Sequence, residues 1–212
     1  MFESIIYYTA LAFEALIGVF GIRLYEEPRY EVITRVSDRI EIRQYGPRVA
    51  AEVELPASGK AGRDESFRVL FAYIAGANHG SASGNAKIAM TVPVEVRGKE
   101  RIAMTVPVQA SEAIGALRMQ FFLPAKYTQD NAPKPLDGRV RLVTVPGETI
   151  ATLRFSGSGS DFPARQSELI AMLKGSQWQP KGAPYALSYD APFTVPFLRR
   201  NEAAVAVVKS AP

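Results

Sequence analysis

Few residues in this chain are equipped for chemistry. There is one histidine, His79, one tryptophan, Trp178, and no cysteine. The lack of cysteine removes disulfides, thiolate nucleophiles, cysteine zinc sites, iron–sulfur clusters and the C-x-x-C-H cofactor attachment. One histidine leaves no H-E-x-x-H motif, three-histidine zinc site or two-histidine axial pair within a chain. Any chemistry must use His79, carboxylates, Lys or Tyr. His79 sits in the run Asn78-His79-Gly80-Ser81-Ala82-Ser83-Gly84. There it is either a solvated surface residue or an axial ligand carried on a glycine-rich loop.

Catalytic signatures are missing around these residues. The stretch HGSASGNAK lacks the G-x-x-x-x-G-K-[ST] spacing that cradles phosphates, and SGSGSD fits neither G-x-G-x-x-G nor G-x-S-x-G. Glu26-Glu27 and Glu52-Glu54 fall on a linker and on an alternating strand face, which gives no reason to bring two carboxylates into one cleft. The expectation is a protein that is not an enzyme.

The elements that position these residues follow from the rest of the chain. Its 212 residues, 47% of them hydrophobic and 10% aromatic, suffice to bury a core. Lys+Arg 25 against Asp+Glu 21 gives a net charge of +4. The signs are interspersed, with no basic run interleaved with aromatics, so no nucleic-acid partner is expected.

Residues 1–27 read apart from 28–212. Ile5 to Ile22, IIYYTALAFEALIGVFGI, carries Glu14 as its only charge and is followed by Arg23. As a helix it would reach about 27 Å, close to the hydrocarbon thickness of a bilayer. The favoured reading is an uncleaved membrane anchor. A cleaved signal peptide and an apolar packing helix are the other two. Arg23, Arg29, Arg35 and Arg39 after the segment, with no basic residue before it, favour the globular part inside.

After Pro28 the period changes to alternation. Short strands are expected at Tyr30–Arg35 and Ile40–Tyr45 around a Ser37-Asp38-Arg39 turn, and at Arg48–Leu55. Pro56–Gly62 reads as a loop. A helix follows over Arg63–Ala75, with Phe67, Leu70, Phe71 and Ile74 on the face that packs on the sheet or borders a groove. The order then repeats: strand at Arg139–Val145, a Pro146-Gly147 turn, strand at Thr149–Phe155, helix at Pro163–Lys174, strands at Tyr185–Asp190 and Ala203–Lys209. Two copies of a ββαββ unit imply an α+β fold with a curved antiparallel sheet under two helices. Ile88-Ala89-Met90-Thr91-Val92-Pro93-Val94 recurs as Ile102-Ala103-Met104-Thr105-Val106-Pro107-Val108. The pair reads as a hairpin around Arg97-Gly98-Lys99, with Val96 opposite Glu100 and both prolines at a rim.

Four separated motifs, FRVLFAYIAGAN, NAKIAMTVPV, MQFFLPAKYT with PKPLDGRV, and YDAPFTVPFLRRNEAAVAV, together resemble the SOUL haem-binding proteins from about Tyr30 to Val208. The extra IAMTVPV copy and the apolar N-terminus look like features of bacterial members. The resemblance implies a distorted antiparallel β-barrel of two similar halves flanked by two helices, related to effector-binding domains. It implies non-catalytic binding of haem or another tetrapyrrole, in an apolar cleft beside the first domain helix. Phe67 and Phe71 match the positions set against the ring. Asp64 and Ala72 stand where basic residues contact the propionates, with Arg63 and Arg68 nearby, and His79 does not align with the family's axial histidine. Met90, Met104 and His79 remain optional ligands to iron. A general effector- or partner-binding module without haem is the alternative, and a hydrolase on the related scaffold a more distant one.

Overall fold

A computed structural model describes residues 25–56, 59–80, 84–98, 116–191 and 194–210. The apolar segment 5–22 and the second IAMTVPV copy with Met104 lie outside the described residues. Strands β1 (Tyr30–Ser37), β2 (Ile40–Tyr45) and β3 (Arg48–Leu55) precede helix α1 (Gly59–Ile74). The short β4 (Asn78–His79) follows, then β5 (Val94–Gly98), β6 (Leu117–Phe122), the short β7 (Lys134–Pro135), β8 (Val140–Val145) and β9 (Glu148–Phe155). Helix α2 (Phe162–Leu173), β10 (Trp178–Pro180), β11 (Tyr185–Ser188) and β12 (Asn201–Lys209) complete the order. The fold is α+β: a curled antiparallel half-barrel sheet carrying two helices, as the repeat predicted.

Helix α1 begins four residues before the expected Arg63. Lys60 and Ala61 are good helix formers, and Gly62 is buried where the Ser66 hydroxyl donates to its carbonyl at 2.8 Å.

The main sheet runs β1-β2-β9-β12-β11-β5-β6-β3-β8, with β10 added on β12. This order shows what the repeat did not reveal. Each ββαββ copy gives its first strand to the other half: β2 pairs with β9, and β8 with β3. Tyr45 faces Glu148, and beyond the links Arg48 faces Val145. The ladder therefore keeps its register while Gly46-Pro47 and Pro146-Gly147 pass each other. A Cβ on Gly147 would lie 3.0 Å from the Tyr45 carbonyl oxygen and 3.6 Å from Gly46. Gly147→Val is thus expected to cost about 1–3 kcal/mol by overpacking, read as a lower urea midpoint with an unchanged slope.

The expected hairpin between the two repeated motifs does not form as drawn. Ile88 to Pro93 is not a strand, and Thr91 makes only an isolated bridge to Glu26. From Val94 onward both edges of the chain are taken, by β11 and by β6, so Val96 faces Ala186 and Met119. Pro93 is buried immediately before β5 rather than exposed at a rim.

Alternation gives the sheet two unlike faces. On one, Ala51, Val53, Met119, Phe121 and Val140 pack under α1 through Val69, Leu70, Tyr73 and Ile74. On the same face Ile40, Ile42, Leu153, Val205 and Val207 pack under α2 through Leu169 and Leu173. Helix α1 lies over β3, β6 and β8, and α2 over β9, β12 and β10. The central pair β5–β11 runs between the helices. The opposite face carries tyrosines, arginines and carboxylates.

Candidate functional site

The flank of α1 that meets β6 at Phe121 holds the expected aromatic residues. Ser66, Val69, Leu70, Tyr73 and Ile74 are buried, whereas Phe67 and Phe71 are half-exposed. The packing face is thus rotated from the expected Phe67-Leu70-Phe71-Ile74 set. Tyr73 sets the rotation: its hydroxyl donates to the Pro133 carbonyl at 2.8 Å and draws the opposite flank inward. Phe67 and Phe71 stack on each other, centroids 6.0 Å apart and planes 13° from parallel, and Phe67 meets Phe121 edge-on at 5.3 Å.

Spacing by four continues this row backward to Arg63, which is exposed and makes no ion pair among the described residues. Val96 of β5 packs on the same core as the two rings, and it pairs with Ala186 as Val94 does with Ser188. Val96, Ala186 and Ser188 are half-buried. Two half-exposed rings and, four residues before them, an exposed cation therefore share one flank of α1.

The other expected residues are placed differently. Met90 is half-buried against the same core as the two rings. It follows Ile88, whose N–H donates to the Ile74 carbonyl at 2.8 Å at the end of α1. Arg68 is committed elsewhere: it pairs with Glu65 at 2.5 Å, and Glu65 also takes Arg139 at 2.9 Å.

His79 is exposed but does not ride on a free loop, since its backbone pairs with Lys134. Asn78 pins the segment, its Nδ2 donating to the Tyr73 and Ala86 carbonyls, both at 2.7 Å, while Ala86 N–H donates to its Oδ1 at 2.9 Å. Lys134 follows Pro133, so His79 stands with the Tyr73 flank of α1 and the aromatic row with the opposite one. Among the described residues no group of three or more His, Asp or Glu side chains is arranged to hold a metal ion.

The second sheet face holds a polar core that sequence patterning missed. Glu202, fully buried, accepts from Arg43 Nη1 at 2.7 Å and Nη2 at 3.1 Å, from Arg200 Nε at 3.0 Å and Nη2 at 2.9 Å, and from Tyr189 at 2.8 Å. Burial pushes the Glu202 carboxyl up, but the bonds from Arg43, the charge of Arg200 and the Tyr189 hydroxyl hold it below the usual range. Arg200 also reaches Glu27 at 3.0 Å, so the Arg199-Arg200-Asn201-Glu202 run is an ion-pair feature.

A second group lies farther along this face. Arg97 lies 3.7 Å over Tyr185 and bonds Glu95 at 2.5 Å. Arg48 sits between Tyr45 and Phe122, at 4.3 and 4.6 Å, and bonds Glu148 at 2.8 Å. Burial raises the Tyr45 hydroxyl to about 12 against the opposing influence of Arg43. Glu52, expected on an alternating strand face, is buried here and accepts from Gln120 at 2.6 Å and Arg141 at 2.9 Å. These groups fill the face with the protein's own side chains. Each buried carboxylate meets a guanidinium or an amide donor, which suits structure rather than proton transfer.

One further concavity, of about 460 Å³, lies between α2 and the start of β11, lined by Gln166, Ile170, Lys174 and Pro184 among others.

The fold has counterparts among solved structures. A conserved protein from Listeria innocua, described as uncharacterized, superposes with a TM-score of 0.57 at 13% identity, covering 80% of this chain and 92% of that one. The EcmrR C-terminal domain gives 0.57 at 10% identity, covering 85% and 98%. A structure described as a hydrolase from Listeria innocua gives 0.53 at 12% identity, covering 83% and 94%. At such identities the likeness is one of fold alone. No curated protein matches the chain in sequence. The family model for SOUL heme-binding protein matches residues 25–206, a span that takes in both halves, both helices and the aromatic row of α1. The chain belongs to the SOUL heme-binding protein family.

Proposed function

We propose that this protein binds haem or a related tetrapyrrole without catalysis, against the aromatic flank of α1. The observation that carries the reading is the Arg63–Phe67–Phe71 row. Two half-exposed, nearly parallel rings 6.0 Å apart would offer aromatic contact to a ligand, and an arginine one turn away is available to a carboxylate. A tetrapyrrole combines those requirements: a wide apolar plane with acidic side chains at one edge. Family membership supports the same ligand class. Arg68, held by Glu65, has a secondary part in this reading.

Bound haem would bring a redox-active iron centre. Phe67 and Phe71 would supply the apolar face and Arg63 the propionate contact, and Met90 stands against the same core. His79 stands with the other flank, so His79→Ala is expected to leave the Soret position unchanged, whereas a shift would make His79 the ligand. In the same reading the apolar segment 5–22 ties this carrier, buffer or sensor to a membrane.

The test is a haemin titration of the full chain followed by absorbance. The expected result is micromolar-order binding with a Soret shift, weakened a few-fold in Arg63→Glu by repulsion of the propionates. Spectral changes no larger than those of a control protein would overturn the reading.

A further inference from the structure

The second half carries a concavity where the first half carries its aromatic row. Leu70 and Ile74 seat α1 on the sheet as Leu169 and Leu173 seat α2, so Gln166 and Ile170 stand in the places of Phe67 and Phe71. With Pro184, ahead of β11, they border a concavity of about 460 Å³, a volume typical of small-molecule sites.

Its lining is aliphatic and singly charged. Pro163, Ile170, Ala171 and Pro184 form the apolar walls and no aromatic ring is among the lining residues, which suits an alkyl chain better than a flat ring. The one charge is positive: Lys174, exposed at the end of α2, makes no ion pair among the described residues. No carboxylate lines the concavity. The neighbouring Glu168 is held by Arg39 and by Arg165, each at 2.6 Å, and the Ser167 hydroxyl donates to the Pro163 carbonyl at 3.0 Å. What remains for a ligand is the Lys174 ammonium and the Gln166 amide, two turns or about 12 Å apart along the helix.

We infer that this concavity binds an amphipathic monocarboxylate of medium chain length. The carboxylate meets Lys174, and the alkyl chain runs past Ala171 and Ile170 toward Gln166. Apolar burial supplies affinity, and the charge-assisted bond to the ammonium fixes the direction of the chain. This inference is independent of the tetrapyrrole reading, because it involves neither α1 nor its rings.

The test is a calorimetric titration of the full chain with decanoate, kept below its micelle concentration, and with decyltrimethylammonium as a cation of similar tail. The expected result is saturable binding of decanoate and none of the cation. Lys174→Glu is expected to weaken decanoate roughly ten-fold, the loss of one ion pair turned to repulsion, and Ala171→Trp to abolish binding by filling the groove. Both positions are exposed, so the urea midpoints of both variants should stay near wild type. Arg63→Glu should bind decanoate as wild type does. No saturable heat, equal affinity for the cation, or unchanged affinity in Lys174→Glu would overturn the inference. So would a loss in Arg63→Glu matching that in Lys174→Glu, which would move the anion to α1.

Discussion

Replacing Glu202 with alanine is expected to destabilise the protein by about 3–5 kcal/mol, the cost of removing one partner from a buried ion pair and a large share of ordinary domain stability. Its five donated bonds come from two guanidiniums and a phenol. Without the carboxylate, Arg43 keeps one carboxylate partner among the described residues, Glu41 at 2.9 Å from its Nε, and Arg200 likewise keeps Glu27, with the Tyr30 and Tyr189 rings beside them. Both charges would stay within the sheet. Glu202→Gln keeps the shape and two acceptor lone pairs, so it is expected to fall between alanine and wild type. Urea unfolding of the three proteins checks this order.

The same group gives the direction of a pH effect. Because the folded-state value of Glu202 lies below its ordinary 4.5, its contribution is complete above that value. The contribution is lost as pH falls through the lower folded value. The urea midpoint of the wild type is expected to drop in that acid window more steeply than that of Glu202→Gln. Equal slopes would show that Glu202 does not titrate with folding.

The second large effect concerns the ligand. Phe67→Ala combined with Phe71→Ala is expected to weaken haemin binding roughly 10- to 50-fold, from about 1 kcal/mol of apolar contact per ring. Both rings are half-exposed, so much of this loss is lost ligand contact rather than lost core. Phe67 does lean on Phe121, and Phe67→Leu with Phe71→Leu supplies the control. Leucines keep the apolar packing but not the flat surface, so binding should weaken while the urea midpoint stays near wild type.

How far the sequence could be read depended on whether the signal was local. Strand and helix positions followed from alternation and from the period of Phe67, Leu70, Phe71 and Ile74, because those patterns are written within a few residues. The exchange of β2 and β8 between halves left no such mark. Gly46-Pro47 and Pro146-Gly147 read equally well as tight turns, and only the close approach of Gly147 to Tyr45 distinguishes a crossing. The polar face escaped for a related reason. Glu52 falls on an alternating strand face, and it is the curl of the sheet that folds this face inward, with Glu52 against Gln120 and Glu202 against Arg43. The aromatic row was visible, yet its exposure was not. Tyr73 looked like any other helix residue until its bond to Pro133 rotated the buried face away from Phe67 and Phe71. His79 drew attention by its rarity, and the pairing of its backbone with Lys134 depends on a segment more than fifty residues away.

Amide hydrogen exchange of the full chain, with and without saturating haemin, locates the ligand. Haem bound against α1 gives added protection in the residues around Arg63, Phe67 and Phe71 and in the segment around Met90, with α2 unchanged. Protection concentrated instead at α2, where Gln166, Ile170 and Lys174 line a concavity, or no added protection at all, would overturn the haem reading.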